Sequence, residues 1–248
     1  MKPHKLKPCT VIFDGDDTLW DTMPIYTRAK RRFFSLMQRR GFDRRKVEKF
    51  FDERDANNVA LWGFSRKRFR MSMLGTYDHF RRHASSGGVS GIREEIANLS
   101  DKVFVEAAGT TPYAGQVLSL LGLTCRLILL TKGDRAVQKQ RLETSRLKNY
   151  FDEIVIVSHK DADTFRRLVL KHHLPPSQTW SVGNSLRSDI NPALVAGLRA
   201  IWVPRRTWSY EDEQSIQRAG VVRISSLRSV PRIIQDAIEK ATPHDLPV

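Results

Sequence analysis

Two aspartates separated by a single glycine stand at the end of an apolar run, and this spacing is where the chain could do chemistry. In TVIFDGDDTLWDT (Thr10 to Thr22), Val11, Ile12 and Phe13 form a short hydrophobic strand of the kind buried in a parallel sheet, and it stops at Asp14, Gly15, Asp16, Asp17 and Thr18. Gly15 allows an immediate backbone turn, so Asp14 and Asp16 converge on one point instead of alternating between faces. Crowded carboxylates need a cation or a proton between them. A solvated acidic turn would use the same residue types. The position directly after a buried strand is what argues for a site, because α/β active sites form where strands end.

The elements that must position these acids follow along the chain. From Met23 to Gly109 the pattern is helical: Phe33, Phe34 and Met37, then Val47, Phe50 and Phe51, then Phe69, Met73 and Leu74 recur at helical spacing, with Arg and Lys between them. Gly41, Gly63 and the SSGG run at 85–88 interrupt the pattern, which predicts about four helices whose aromatic positions are core. From Thr111 onward strands and helices alternate. Strands are expected at Cys125 to Leu130, Ile154 to Val157, Thr179 to Val182 and Ala200 to Val203, and helices at Asp134 to Lys148, Ala162 to His173, Leu186 to Gly197 and Val230 to Lys240. Such alternation implies parallel pairing with right-handed crossovers. The first strand then belongs with the second half of the chain. The expected division is an α/β core of residues 1–22 and 110–248, with an all-helical segment, 23–109, inserted as a lid and hinged near GTTPYAG (109–115).

Composition sets the outer bounds. A chain of 248 residues with 40% hydrophobic content can bury a sizeable core, and no apolar run reaches the length of a membrane span. The start, MKPHKLKPCT, is basic without an apolar segment before the strand, so neither a secretory signal nor an anchor is expected. Cys9 and Cys125 lack any metal-site spacing and are expected as buried, reduced thiols, which together with the first point suggests the cytoplasm. Of the net charge of +15, ten units lie between Arg28 and Arg70, where fifteen Lys or Arg face five Asp or Glu. A basic patch of this kind can steer phosphorylated metabolites, bind nucleic acid, or simply be a solvated helical face.

Polar residues now stand at four strand ends: Asp14 with Asp16, Thr131 in LLTKGD, Lys160 in SHKDADTF, and Gly183 to Asp189 in VGNSLRSD. In a parallel sheet these ends share one edge, so distant residues can meet in one crevice. Thr131 could equally be an ordinary helix cap, and Lys132 and His159 compete with Lys160 as the cation.

These four motifs, in this order and spacing, make the chain resemble the haloacid dehalogenase (HAD) superfamily, in its magnesium-dependent phosphatase branch with a helical, C1-type cap. The resemblance implies a Rossmann-like, doubly wound parallel sheet with an inserted all-helical cap domain. It implies that Asp14 is a nucleophile forming an aspartyl phosphate, and that Asp16 is the general acid and base. Thr131 and Lys160 would hold the phosphoryl group, with Lys160 rather than Lys132 or His159 matching the family position. Mg²⁺ would be held by Asp14, the Asp16 backbone carbonyl and Asp189, while Asp17 lies outside its ligands and Thr18 fixes the turn. Asn184 departs from the family, which has an acid at that position. Retention of Asp16 favours phosphoryl transfer over dehalogenation. The expected partner is a small phosphorylated substrate. The alternative is a nucleic-acid-associated protein, or a nucleic-acid-end phosphatase, using the basic cap.

Overall fold

The computed structural model describes residues 7, 9–82, 91–205, 208, 211, 215 and 220–241. Residues 1–6 and 8 of the basic start and the SSGG run at 85–88 lie outside the described residues. In chain order the strands are β1 (Cys9–Phe13), β2 (Trp20–Asp21), β3 (Gly109–Thr110), β4 (Cys125–Lys132), β5 (Glu153–Val157), β6 (Thr179–Gly183), β7 (Arg199–Trp202) and β8 (Val221–Arg223). Six of them form one parallel sheet in the order β5-β4-β1-β6-β7-β8. Strands are added to one side of β1 and then to the other, so the topological switch falls beside β1 and opens a crevice at its C-terminal end. β1 and β6 are buried along their whole length, which is why they read as unbroken apolar runs, whereas β5 at the edge is half-buried throughout. The three residues of β8 are too short a run to stand out in the sequence.

Between β2 and β3 come the helices α1 (Met23–Arg39), α2 (Arg44–Trp62), α3 (Arg66–Arg82) and α4 (Ile92–Val105). Asp43 caps α2 by accepting from the Lys46 amide, and Gly63 ends it at φ 57°. Phe33, Phe34, Met37, Val47, Phe51, Phe69, Met73 and Leu74 are buried as expected. Phe50 differs: it is half-buried and stacks on His79 at 4.0 Å between ring centroids. Part of the basic charge is answered locally, by Arg28 with Glu106, Lys30 with Asp52, Arg44 with Glu48, Arg70 with Asp101, and the buried pair Arg68 with Asp55 at 2.6 Å. The two chain passages linking these helices to the sheet run antiparallel as β2 and β3, with Trp20 paired to Thr110 and Asp21 to Gly109. The hinge-like stretch is therefore partly strand, tied further by Thr111 Oγ1 donating to the Thr18 carbonyl at 2.8 Å.

The remaining helices are α5 (Ala114–Leu121), α6 (Arg135–Ser145), α7 (Ala162–His172), α8 (Asn191–Val195) and α9 (Val230–Ala241). The helix expected over Leu186 to Gly197 is divided: a π-helical turn, Leu186–Ile190, runs into α8. Such turns cluster at functional sites because they re-aim side chains, here Asp189.

The cysteines require a correction. Cys9 and Cys125 are not reduced thiols but a disulfide, because parallel pairing of β1 with β4 places them opposite each other with Cα atoms 4.9 Å apart. That removes the thiol argument for a reducing compartment. No helix among the described residues is long and apolar enough to cross a membrane.

Candidate active site

At the switch point the four motif residues meet. Lys160 Nζ donates to Asp14 Oδ1 at 2.8 Å and to Asp189 Oδ1 at 2.6 Å, with all three side chains buried. Thr131 is buried and, with Asp14, Asp16 and Asp189, lines a cavity of about 70 Å³. Neither Lys132 nor His159 makes the contact to Asp14; burial of the Lys160 stem lets its ammonium reach under the strand ends. Two carboxylates against one ammonium leave net negative charge in a dry place. Burial first, and then the Asp189 charge, outweigh the attraction of Lys160 and push the Asp14 carboxyl up to about 7. Lys160 itself is raised: burial opposes its charge, but Asp14 and Asp189 more than offset that.

The DGDD turn is held from within. Thr18 and Leu19 amides donate to the Gly15 carbonyl, and Thr18 Oγ1 donates to Asp14 Oδ2 at 3.0 Å. Gly15 is needed for close approach, since a Cβ there would lie 2.4 Å from the Trp20 ring. Gly183 plays the same part for motif four, where a Cβ would sit 2.3 Å from Asp189 Oδ2. The second Asp189 oxygen accepts from the Ser185 amide at 2.9 Å.

Asp16 is placed by residues that sequence reasoning missed. Its carboxylate accepts from Trp20 Nε1 at 2.6 Å, Gln138 Nε2 at 2.9 Å and Arg141 Nη1 at 2.5 Å. Gln138 and Arg141 lie three positions apart on α6, one turn of the same face. That spacing was visible, but nothing in it pointed towards Asp16. Gln138 also accepts from Thr131 Oγ1 at 3.1 Å, joining the two motifs. Burial works against the Arg141 charge, but Asp16 and Tyr26 overcome it and raise the guanidinium above its usual value.

Asp17 is structural. At φ 60° its carboxylate accepts from the Thr22 amide at 2.8 Å, Thr22 Oγ1 at 2.9 Å and the Met23 amide at 2.9 Å, anchoring the start of α1. Burial, then the Asp16 charge, raise it to about 6. An acid raised on folding binds its proton more tightly in the native state, so stability is lost as pH climbs from the unfolded value to about 6. Asn can still accept both amides and tolerates positive φ. Asp17→Asn is expected to gain on the order of 1 kcal/mol at pH 8 and much less at pH 4.5, read by thermal melts. A loss of stability at both pH values would overturn the assignment.

A second buried network also went unseen. Lys132 Nζ donates to Ser188 Oγ at 2.6 Å and to Glu211 Oε1 at 2.7 Å, while Glu211 Oε2 accepts from Ser185 at 2.8 Å and Ser188 at 2.7 Å. Glu211 is far from any motif in the sequence, and nothing local marks it.

The oxygen donors suit a hard divalent ion. Asp14 Oδ2 and Asn184 Oδ1 both lie within hydrogen-bond reach of the Thr18 hydroxyl, at 3.0 and 3.4 Å, so a carboxylate and an amide oxygen stand close to each other. Asp189 is more committed, with one oxygen on Lys160 and the other on Ser185. Among the described residues no cluster of three or more His, Cys, Asp or Glu side chains forms a metal site. The arrangement fits an ion held by few carboxylates with the remainder from neutral oxygens.

Comparison with known proteins bears on the family and the fold. The N-acylneuraminate-9-phosphatase of Mus musculus is 33% identical over 93 residues, which is 35% of this chain and 38% of that protein, so the match spans well under half of the relative. The enzyme of the same name from Homo sapiens is 25% identical over 78% of this chain and 81% of its own length. A haloacid dehalogenase-like family hydrolase from Xanthomonas campestris superimposes with a TM-score of 0.81 at 24% identity, covering 95% of this chain and 94% of that one. With residues 10–197 matching the family model described as haloacid dehalogenase-like hydrolase, the chain belongs to that hydrolase family.

Proposed function

We propose that the protein is a Mg²⁺-dependent phosphatase that hydrolyses a phosphate monoester of a small metabolite through an aspartyl phosphate on Asp14. The observation that carries this reading is the convergence of Asp14, Lys160, Asp189 and Thr131 at one strand edge, with Asp16 beside them. Relatives bearing phosphatase names support it. Asp14 attacks phosphorus, and the alkoxide leaving group takes a proton from Asp16; Asp16 then removes a proton from the water that cleaves the acyl phosphate. Lys160 balances charge on Asp14 and the phosphoryl oxygens, and the Thr131 hydroxyl and amide orient them. Gln138 and Arg141 position Asp16, and a substrate that draws Asp16 inwards must loosen that contact.

Mg²⁺ would be held by Asp14, the Asp16 backbone carbonyl and Asp189, with the Asn184 amide oxygen alongside. When bound, the ion supplies positive charge that neutralises the phosphoryl oxygens. Helices α1 to α4, residues 23–109, act as the cap that excludes water. The small volume of the cavity that Asp14 lines supports a small substrate over a nucleic-acid strand. The test is hydrolysis of p-nitrophenyl phosphate with Mg²⁺ and its loss on chelation; inactivity towards aryl, acyl and sugar phosphates alike would end the proposal.

Asn184→Asp adds a carboxylate next to Asp14. It is expected to lower the Mg²⁺ concentration needed for half-maximal thermal stabilisation by about tenfold, with metal-free protein less stable at pH 8 through like-charge repulsion. An unchanged Mg²⁺ titration would remove Asn184 from the ion's surroundings.

A further inference from the structure

Between α1 and α4 lies a groove of about 800 Å³ that shares none of its described lining residues with the cavity around Asp14. Its volume is that of a site for a whole small molecule. Four cations line it, Arg31, Arg32 and Arg39 of α1 and Lys102 of α4. Among the described residues none of these four side chains forms a hydrogen bond or ion pair, whereas their neighbours on α1 do, Arg28 with Glu106 and Lys30 with Asp52. Arg39 and Lys102 stand in the last turns of their helices and Glu94 and Glu95 in the first turn of α4, where the helix dipole favours those signs. Arg31 and Arg32 lie mid-helix, where the dipole offers nothing, and adjacent guanidiniums repel each other. Only an anion from outside the chain would answer them.

The groove has two unlike ends. Helix α1 leaves β2 and α4 enters β3, and because those strands pair with each other the two helices run in opposite directions. The ion pair between Arg28 and Glu106 sets their level. Arg31, Arg32 and Lys102 therefore come to the end nearer β2 and β3, while Glu94 and Glu95 come to the far end with Arg39. At the helical rise per residue, the stretch from Arg32 to Arg39, like that from Glu95 to Lys102, is about 10 Å long. Between the ends, Ser35 and Asn98 supply hydrogen-bonding groups, and the buried Leu36 and half-buried Leu99 supply an apolar floor.

We infer that this groove is a binding site, separate from the catalytic one, for a free nucleotide: its phosphate is held by Arg31, Arg32 and Lys102, its ring lies on Leu36 and Leu99, and its amino or hydroxyl donors meet Glu94 and Glu95. Guanidiniums grip phosphate oxygens with parallel hydrogen bonds, and a carboxylate is an acceptor for an amino group or hydroxyl. Inorganic phosphate alone would leave the acidic end unused. A nucleic-acid strand would bring further phosphates up to Glu94 and Glu95, where like charge opposes them. The inference stands on the groove and not on the phosphatase reading.

The test is calorimetric titration of AMP, ADP and CMP into the whole chain carrying Asp14→Asn, which prevents turnover, in the presence of EDTA. At least one of them should bind with a Kd below about 1 mM. Arg31→Gln combined with Arg32→Gln should weaken that binding by about tenfold or more while the melting temperature stays close to that of the parent. Glu94→Gln combined with Glu95→Gln separates an oriented site from a general positive field. A field alone would then tighten nucleotide and pyrophosphate alike, whereas the oriented site should tighten pyrophosphate and weaken the nucleotide. Failure of all three nucleotides to bind, binding indifferent to the arginine pair, or parallel tightening of nucleotide and pyrophosphate would overturn the inference. So would a single-stranded oligonucleotide that binds through Arg31 and Arg32 and is not displaced by the nucleotide. In the chain that keeps Asp14, the arginine variant should hydrolyse p-nitrophenyl phosphate as the wild type does, so the two readings stand or fall separately; joint loss of nucleotide binding and hydrolysis would place the nucleotide in the catalytic site and overturn the inference.

Discussion

Asp14→Asn is expected to lose p-nitrophenyl phosphate hydrolysis by at least about a thousandfold while melting at a higher temperature than the wild type at pH 8 without metal. The activity loss follows because an amide oxygen cannot serve as the nucleophile that accepts the phosphoryl group. The gain in stability follows from the electrostatics of the same residue. Asp14 is buried against Asp189 and raised to about 7, so the native state holds its proton more tightly than the unfolded chain does. Stability from this group is therefore lost as pH rises from the ordinary carboxylate range to about 7, and the ionised form carries the full cost above that. Asn keeps an oxygen for the Lys160 ammonium and brings the Asp14, Lys160 and Asp189 group to neutrality. The melting difference should shrink at pH 5, where wild-type Asp14 is protonated. Retention of activity within tenfold of wild type would refute the nucleophile assignment, and a lower melting point at pH 8 would refute the charge argument.

Lys160→Met should be the most destabilising single change in the site, costing about 3–5 kcal/mol in urea unfolding at pH 8. Met matches the stem in volume, so the loss is that of charge, not of packing. Without the ammonium, Asp14 and Asp189 face each other in a buried place, and both must be protonated or hydrated. The sign with pH follows directly. Lys160 is raised above its unfolded value, so its own contribution is constant below the unfolded lysine range and disappears only as pH rises through the folded one. Any steepening between pH 5 and 8 in the variant therefore belongs to the carboxylates, and the variant should lose more stability over that window than the wild type does. A cost under 1 kcal/mol at pH 8 would mean that the two acids are not ionised together.

Much of this layout was legible because it depends on chain-local patterns. Val11 to Phe13, Leu127 to Leu130 and Trp180 to Val182 are apolar runs bounded by polar residues, and a strand buried on both faces leaves that signature. The helices of residues 23–82 announce themselves by aromatic spacing. The strand-end positions of Asp14 and Thr131 follow from the same boundaries, and the superfamily's motifs named Lys160 and Asp189.

What tertiary structure alone decided are the contacts between elements that carry no local mark. The register of β1 against β4 turned two cysteines expected to be reduced into a disulfide. The face of α6 that meets the DGDD turn gave Asp16 its three donors, and Glu211 reached the Lys132 ammonium from a segment without any motif. Sequence periodicity reports which side of an element avoids water; it holds no information on which distant side chain answers a given charge, because that depends on how the elements are packed.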